Sequence, residues 1–283
     1  MKPTPFNYVR PATVEDALAI LDEYPDAVVL AGGQSLVAML NMRLVAPSHV
    51  VDIGELSELK EVSVDGDWLR LGALVRHCDI VASQIISKAA PLLKEAALHI
   101  AHPAIRNRGT IGCSLALADP AAELPACLIA LGGQLEIEGL NDTRNMDAAD
   151  FFTGSFETEL QRSEIIRTVK VPVLAPGYRT EFDELARRHG DYALAGLAAL
   201  GRIDNGCVYD LRLAYFAAGE KPALAIAAAR NLEGKELSEA NIEEAVALIG
   251  NDILPVGQPG CSEQTKLHHC SVLAKRVLYR MAA

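Results

Sequence analysis

The chain has 283 residues, 50% of them apolar and only 5% aromatic, so its core must be built from Ala, Leu, Val and Ile. That length fits one large domain or two modest ones, and the composition excludes a largely disordered chain. With 37 acidic against 26 basic side chains, the net charge of −11 repels phosphate backbones and sets nucleic acid aside as a partner.

The opening stretch, from Met1 to Ala17, lacks the apolar run of a signal peptide, and Ala126–Leu131 and Ala223–Ala229 are too short to span a bilayer. The expected setting is the cytoplasm, with reduced thiols and no membrane span. The cysteines, Cys78, Cys113, Cys127, Cys207, Cys261 and Cys270, form no C-x-x-C pair, so neither an iron–sulfur cluster nor a four-ligand zinc site has its usual spacing. Cys261 and Cys270 bracket His268 and His269; they read as incidental groups on an amphipathic helix, and no metal is assigned.

In chain order, Thr13 to Asp16 is a capping-box-like start, with Ala17, Leu18 and Leu21 at helical spacing behind it. A short buried strand, Ala27–Leu30, runs into Ala31-Gly32-Gly33-Gln34-Ser35. Ser35 is then placed to cap a helix over Leu36–Leu44, before a strand at His49–Ile53. Another strand is expected at Trp68–Gly72 after the Asp65-Gly66 turn, then helices at Cys78–Ser87 and Pro91–Ile100, the second opened by Pro91. Arg108 to Ser114 breaks the helical pattern with Gly109 and Gly112. A helix over Pro120–Leu131 closes on Gly132-Gly133, and strands follow at Gln134–Glu138 and Ile165–Val171. Beyond a junction at Pro172–Gly177, a separate module holds strand-like Thr180–Arg187, an apolar Tyr192–Ile203 stretch, strand-like Val208–Ala217, and helices at Ser238–Ile249 and Ser262–Met281. The whole reads as α+β in two parts.

A backbone that must approach a diphosphate needs residues without a Cβ and free N–H groups aimed at the oxygens. Ala31–Ser35 offers this after a strand and at a helix start. It is neither G-x-G-x-x-G nor a P-loop, because it lacks the spacing of one and the Lys of the other. Thr110–Ser114 has the same small-residue character, with a hydroxyl at each end. From spacing alone the pair reads equally as ordinary tight turns or as two clamps on one diphosphate.

The segments Ala31 to Leu36, Ile105 to Ser114 and Ala118 to Pro125 closely resemble the medium, FAD-binding subunits of the xanthine dehydrogenase and carbon monoxide dehydrogenase family. So do Asp52-Ile53, the strand before Pro172, and Arg187 to Ala193, so the resemblance spans nearly the whole chain in order. It implies a vanillyl-alcohol-oxidase (PCMH-type) FAD-binding fold of two α+β subdomains, near 1–55 and 56–175. A C-terminal domain over 178–283, a three-stranded antiparallel sheet with helices, completes it.

The resemblance further implies that Ala31, Gly32, Gly33, Gln34, Ser35 and Leu36, with Thr110, Ile111, Gly112, Cys113 and Ser114, hold the FAD diphosphate and nearby ribityl chain. Ile100 and Ala101 fall against the flavin, Val171 is among the cofactor-binding residues, and Glu123 falls at the position of an acid that bonds the adenosine ribose. Tyr192 is either a face for the isoalloxazine or a core tyrosine. Arg187 and Arg188 are either flavin contacts or a salt-bridged surface pair. Cys113 stands where the family has Gly, narrowing the approach or supplying a redox thiol. Ala101 and Leu117 replace the commoner Gly and His.

The same resemblance implies an oxidoreductase subunit with no catalytic side chain of its own, the flavin carrying the chemistry. Electrons are expected from [2Fe–2S] clusters on a small subunit, fed by a large molybdopterin subunit, and to leave for an external acceptor. A dimer of heterotrimers is the expected assembly. A stand-alone FAD enzyme of the same fold and a flavin-free scaffold are the competing readings.

Overall fold

The computed structural model describes residues 2–283. In the first subdomain, Asn7–Val9, His49–Asp52 and Val28–Leu30 form a parallel sheet in that order. The helix Val14–Glu23 starts where Thr13 accepts a hydrogen bond from the Asp16 N–H at 3.1 Å, as the capping pattern predicts. Its buried stripe, Val14, Ala17, Leu18 and Leu21, packs on Val51, Ile53 and Leu59.

The second subdomain is an antiparallel sheet in the order Val62–Asp65, Trp68–Gly72, Ile165–Pro172, Gln134–Glu138, Thr143–Asp147. The two outer strands are absent from the sequence expectation. Both are edges with much of their length in solvent, so neither needs the apolar alternation that marks a half-buried strand.

Several helix expectations are corrected. The helix expected over Cys78–Ser87 is two, His77–Ala82 and Gln84–Ala89. Ser83 leaves helical geometry at ψ 122, and its hydroxyl accepts from the Ile86 N–H at 3.3 Å, which starts the second helix. The Pro120–Leu131 helix begins instead at Glu123, because the Asp119 carboxylate takes the Ala121 N–H at 2.9 Å and holds a turn there. Ser35 does not cap through its side chain, and its helix stops at Met42, where Arg43 turns left-handed at φ 58. The break expected over Arg108–Ser114 holds only as far as Thr110, which caps the helix Ile111–Leu117, accepting from the Cys113 N–H at 3.4 Å.

In the C-terminal part, Tyr178–Ala186, Ala193–Asp204 and Cys207–Phe216 form the antiparallel sheet expected, and two-residue strands at Ala223–Leu224 and Lys235–Glu236 pair with the last of them. The middle strand is free of polar side chains from Ala193 to Gly201 because both of its faces are covered there. Ala195, Leu197 and Ala199 meet the closing helix Glu263–Ala282 through Leu273, Val277 and Leu278. Ala198 and Leu200 point the other way, into the core of the second subdomain. Phe216 joins that second face and stacks on Phe182 with centroids 5.6 Å apart. The sheet therefore serves as a wall of the cleft described next.

A candidate FAD-binding cleft

The backbone of Ala31–Ser35 is bare of partners where it faces the cleft: among the described residues, the N–H groups of Gly33, Gln34 and Ser35 have no hydrogen-bond acceptor. They stand at the start of the helix Leu36–Met42, where free N–H groups favour an anion. Gly33 needs glycine for its φ of +73, and Gly32 because any Cβ there would overlap the carbonyl of Arg108. The two glycine segments are thus packed directly on each other.

The second segment is built differently. The Ile111 and Gly112 N–H groups donate to Val75 and Ala73 carbonyls, each at 2.9 Å, and those of Cys113 and Ser114 go to Thr110. Its donors are already used, so it contributes a small-residue floor and the Thr110 and Ser114 side chains rather than a second set of free N–H groups. Gly112 is required by packing: a Cβ would come within 2.5 Å of that of Ala73. Cys113 has ordinary helical geometry, and its side chain costs the turn no backbone strain. Burial pushes its thiol pKa up, away from the thiolate that redox chemistry requires.

A cleft of about 250 Å³, partly open to solvent, brings together Gly32, Gln34, Ser35, Thr110, Cys113, Ser114, Ile100, Ala101, Glu123 and Tyr192. Tyr192 is 75% exposed and is not a core residue. Leu36, Gly112, Cys113 and Leu117 also wall an adjoining, largely apolar cavity that Val29, Met39 and Ile166 complete between the two subdomains. Val171 and Ile111 are buried in the packed core and line neither space. Arg187 bonds the Pro259 carbonyl at 3.3 Å, and among the described residues neither it nor Arg188 forms an ion pair.

Other residues of the cleft escaped the sequence reading. Asp119 lies beside Glu123 and Tyr192, and burial raises the pKa of its carboxyl. Arg106, unremarkable in sequence, donates from Nη1 to the carbonyls of Ile100 at 2.7 Å and Ala101 at 3.0 Å, pinning the loop that forms one wall. Gly190, at φ +85, packs against the Ala101 carbonyl. His77 is buried behind Gly109 with both ring nitrogens unpartnered, and loss of hydration holds its pKa down at about 4.

Glu123 is the most perturbed acid of the cleft. Burial raises its pKa to about 8, with Glu184 and Asp119 adding to the effect, so at neutral pH it is a carboxylic acid able to donate as well as accept. The donor set fits FAD: free N–H groups at a helix start for the diphosphate, a hydroxyl-seeking acid, and a flat, apolar-walled region beside Tyr192. When bound, the flavin supplies two-electron and one-electron redox chemistry that no side chain offers.

Comparison with known proteins agrees with that fit. The family described as "FAD binding domain in molybdopterin dehydrogenase" matches residues 4–174, and "CO dehydrogenase flavoprotein C-terminal domain" matches residues 180–281. Among curated relatives, the glyceraldehyde dehydrogenase medium chain of Sulfolobus acidocaldarius is 35% identical over 255 residues, 90% of each chain. The nicotine 6-hydroxylase medium subunit of Paenarthrobacter nicotinovorans is 40% identical, over 87% of this chain and 86% of its own. Of solved structures, quinoline 2-oxidoreductase from Pseudomonas putida 86 superposes with a TM-score of 0.95 at 36% identity, covering 100% of this chain and 98% of the other. Carbon monoxide dehydrogenase from Hydrogenophaga pseudoflava gives 0.96 at 34%, covering 99% and 98%. Among the described residues no helix is long and apolar enough to cross a membrane. The chain belongs to the FAD-binding medium subunits of the molybdenum hydroxylases, and is an oxidoreductase subunit.

Proposed function

We propose that this chain is the electron relay of a cytoplasmic molybdenum hydroxylase. Its FAD takes electrons from [2Fe–2S] clusters on a small subunit, after a large molybdopterin subunit has oxidised the substrate, and passes them to an external acceptor. The working assembly is a dimer of such heterotrimers, and the chain divides into an FAD-binding domain to residue 175 and a C-terminal domain from 178. The observation that carries the reading is the pair of free N–H groups of Gln34 and Ser35, set in one cleft with Tyr192 and Glu123.

Gly32 to Ser35, over the floor made by Thr110, Cys113 and Ser114, would hold the diphosphate of FAD, and Ile100, Ala101 and Tyr192 would meet the isoalloxazine. Glu123 shares the flavin side of the cleft, which favours the ribityl hydroxyls over the adenosine ribose as its partner. Purification of the native complex tests the whole: yellow protein that releases FAD, with an iron–sulfur chain and a molybdenum chain in equal amount, is the expected result. A flavoprotein isolated without either chain would instead point to a stand-alone enzyme.

A further inference from the structure

A further cavity, of about 640 Å³, shares Gly32, Gln34 and Thr110 with the cleft described above but includes none of Ser35, Cys113, Glu123 and Tyr192. Its charge runs against that of the chain. The whole carries −11, yet this cavity is lined by Arg10, Lys60, Arg76 and Arg108 against only Asp52 and Glu55. Asp52 is already committed: it accepts from the Tyr8 hydroxyl, from the Gly54 N–H at 2.9 Å and from Arg10 at 3.3 Å. Asp79, three residues on from Arg76, takes the Arg76 backbone N–H at 3.3 Å. Glu55 is exposed and pairs with no cation among the described residues. Lys60, Arg76 and Arg108 are thus left, among the described residues, without an ion pair.

We propose that this cavity is a second anion site, which takes a small phosphorylated molecule other than FAD. Cations gathered in one concavity repel one another, and their summed field raises the local concentration of a counter-ion. Arg76 and Arg108 bring planar forks that match pairs of phosphate oxygens, and Lys60 adds a compact point charge. Three cations without a partner suit a diphosphate better than a single carboxylate.

Val37, Ala38 and Leu74 give the same cavity an apolar wall for the organic part of such a ligand. Its volume lies in the range that encloses a small molecule rather than a macromolecular segment. Because Gly32, Gln34 and Thr110 wall both spaces, the second ligand lies beside the cofactor cleft, with the glycine turn as a shared partition. Lys60, Arg76 and the Arg108 side chain line this cavity and not the cleft, so they separate the two sites experimentally.

Calorimetric titration of the FAD-loaded full chain with inorganic pyrophosphate is expected to show one site per chain, with FAD content unchanged. K60Q and R76Q should each weaken that binding by ~10-fold. Both side chains are exposed, so melting temperature and FAD retention are expected to stay at wild-type values. Wild-type affinity in both variants, or sulfate bound as tightly as pyrophosphate, would reduce the cluster to a general charge effect and overturn the site. Binding to the FAD-free chain that FAD abolishes would assign these cations to the FAD diphosphate and overturn a second ligand. Binding lost in the native complex would assign them to an acidic partner surface instead. A chain that takes up no FAD would refute the cofactor reading, and pyrophosphate titration of the two variants would still decide the anion site.

Discussion

Gly32 has no room for a side chain, because the carbonyl of Arg108 occupies the space where its Cβ would stand. The contact ties the strand-to-helix turn of the first subdomain to the loop before Thr110, so the proposed diphosphate platform exists only when the subdomains are packed together. Substitution of Gly32 by Ala must push the turns apart. It is expected to abolish FAD retention on gel filtration and to lower thermal stability by roughly 1–3 kcal/mol. A yellow G32A protein of unchanged stability would contradict this geometry.

Ala101 holds a left-handed backbone at φ 39 where relatives are expected to carry Gly. That conformation costs an L-residue about 1–2 kcal/mol, offset in part by the greater freedom a glycine has when unfolded. A101G is therefore expected to stabilise the chain by ~0.5 kcal/mol in denaturant melts, with FAD still bound.

Arg106 works against the same strain by gathering the Ile100 and Ala101 carbonyls. R106A should free the loop and weaken FAD binding by roughly 10-fold, the effect of losing about 1.4 kcal/mol of charge-assisted hydrogen bonding. R106K, which keeps the charge but not the planar fork, is expected to recover only part of it. Titration of ligand-free protein with FAD measures both.

Stability of the ligand-free chain should fall as pH rises from about 6.5 to 8. Glu123 and Glu95 have pKa values raised to about 8 and about 7, so in this window the folded chain binds more protons than the unfolded one. The stabilising contribution of their neutral forms is complete below the unfolded carboxylate range near 4.5 and is lost through these higher values. His77, held at about 4, acts in the opposite direction, but only below its unfolded value near 6.5. The double variant E123Q/E95Q should flatten the alkaline slope in urea melts, and an unaltered slope would place its cause elsewhere.

Cys113, half-buried on the cleft wall, should behave as a small apolar group rather than a redox thiol. Its thiol pKa is raised by burial, so alkylation at pH 8 is expected to be much slower than for a free thiol. C113A should keep both the FAD spectrum and its reduction potential.

Local chemistry was legible wherever a rule of short range decides the outcome. The Thr13 cap, the Leu18 and Leu21 stripe, the strand at Trp68–Gly72 and the long closing helix all follow from residues within a few positions of one another. The glycine turns could be located but not told apart. Ser83 hid a helix break because a serine inside a helical pattern reads the same whether its hydroxyl faces solvent or accepts from the Ile86 N–H.

By itself the sequence determined the α+β class, the order of the main elements and, through its resemblance, the cofactor. Only the tertiary structure decided which of the two turns has donors to spare, since that depends on Val75 and Ala73 carbonyls far from Thr110 in the chain. It also decided that Val171 is core and that Arg106 braces the Ile100–Ala101 loop. The burial that keeps Glu123 neutral comes mostly from the packed fold around it, with Glu184 contributed by a different domain. Spare hydrogen bonds, burial and proton affinity are properties of neighbourhoods that the chain assembles in space, and no local pattern encodes them.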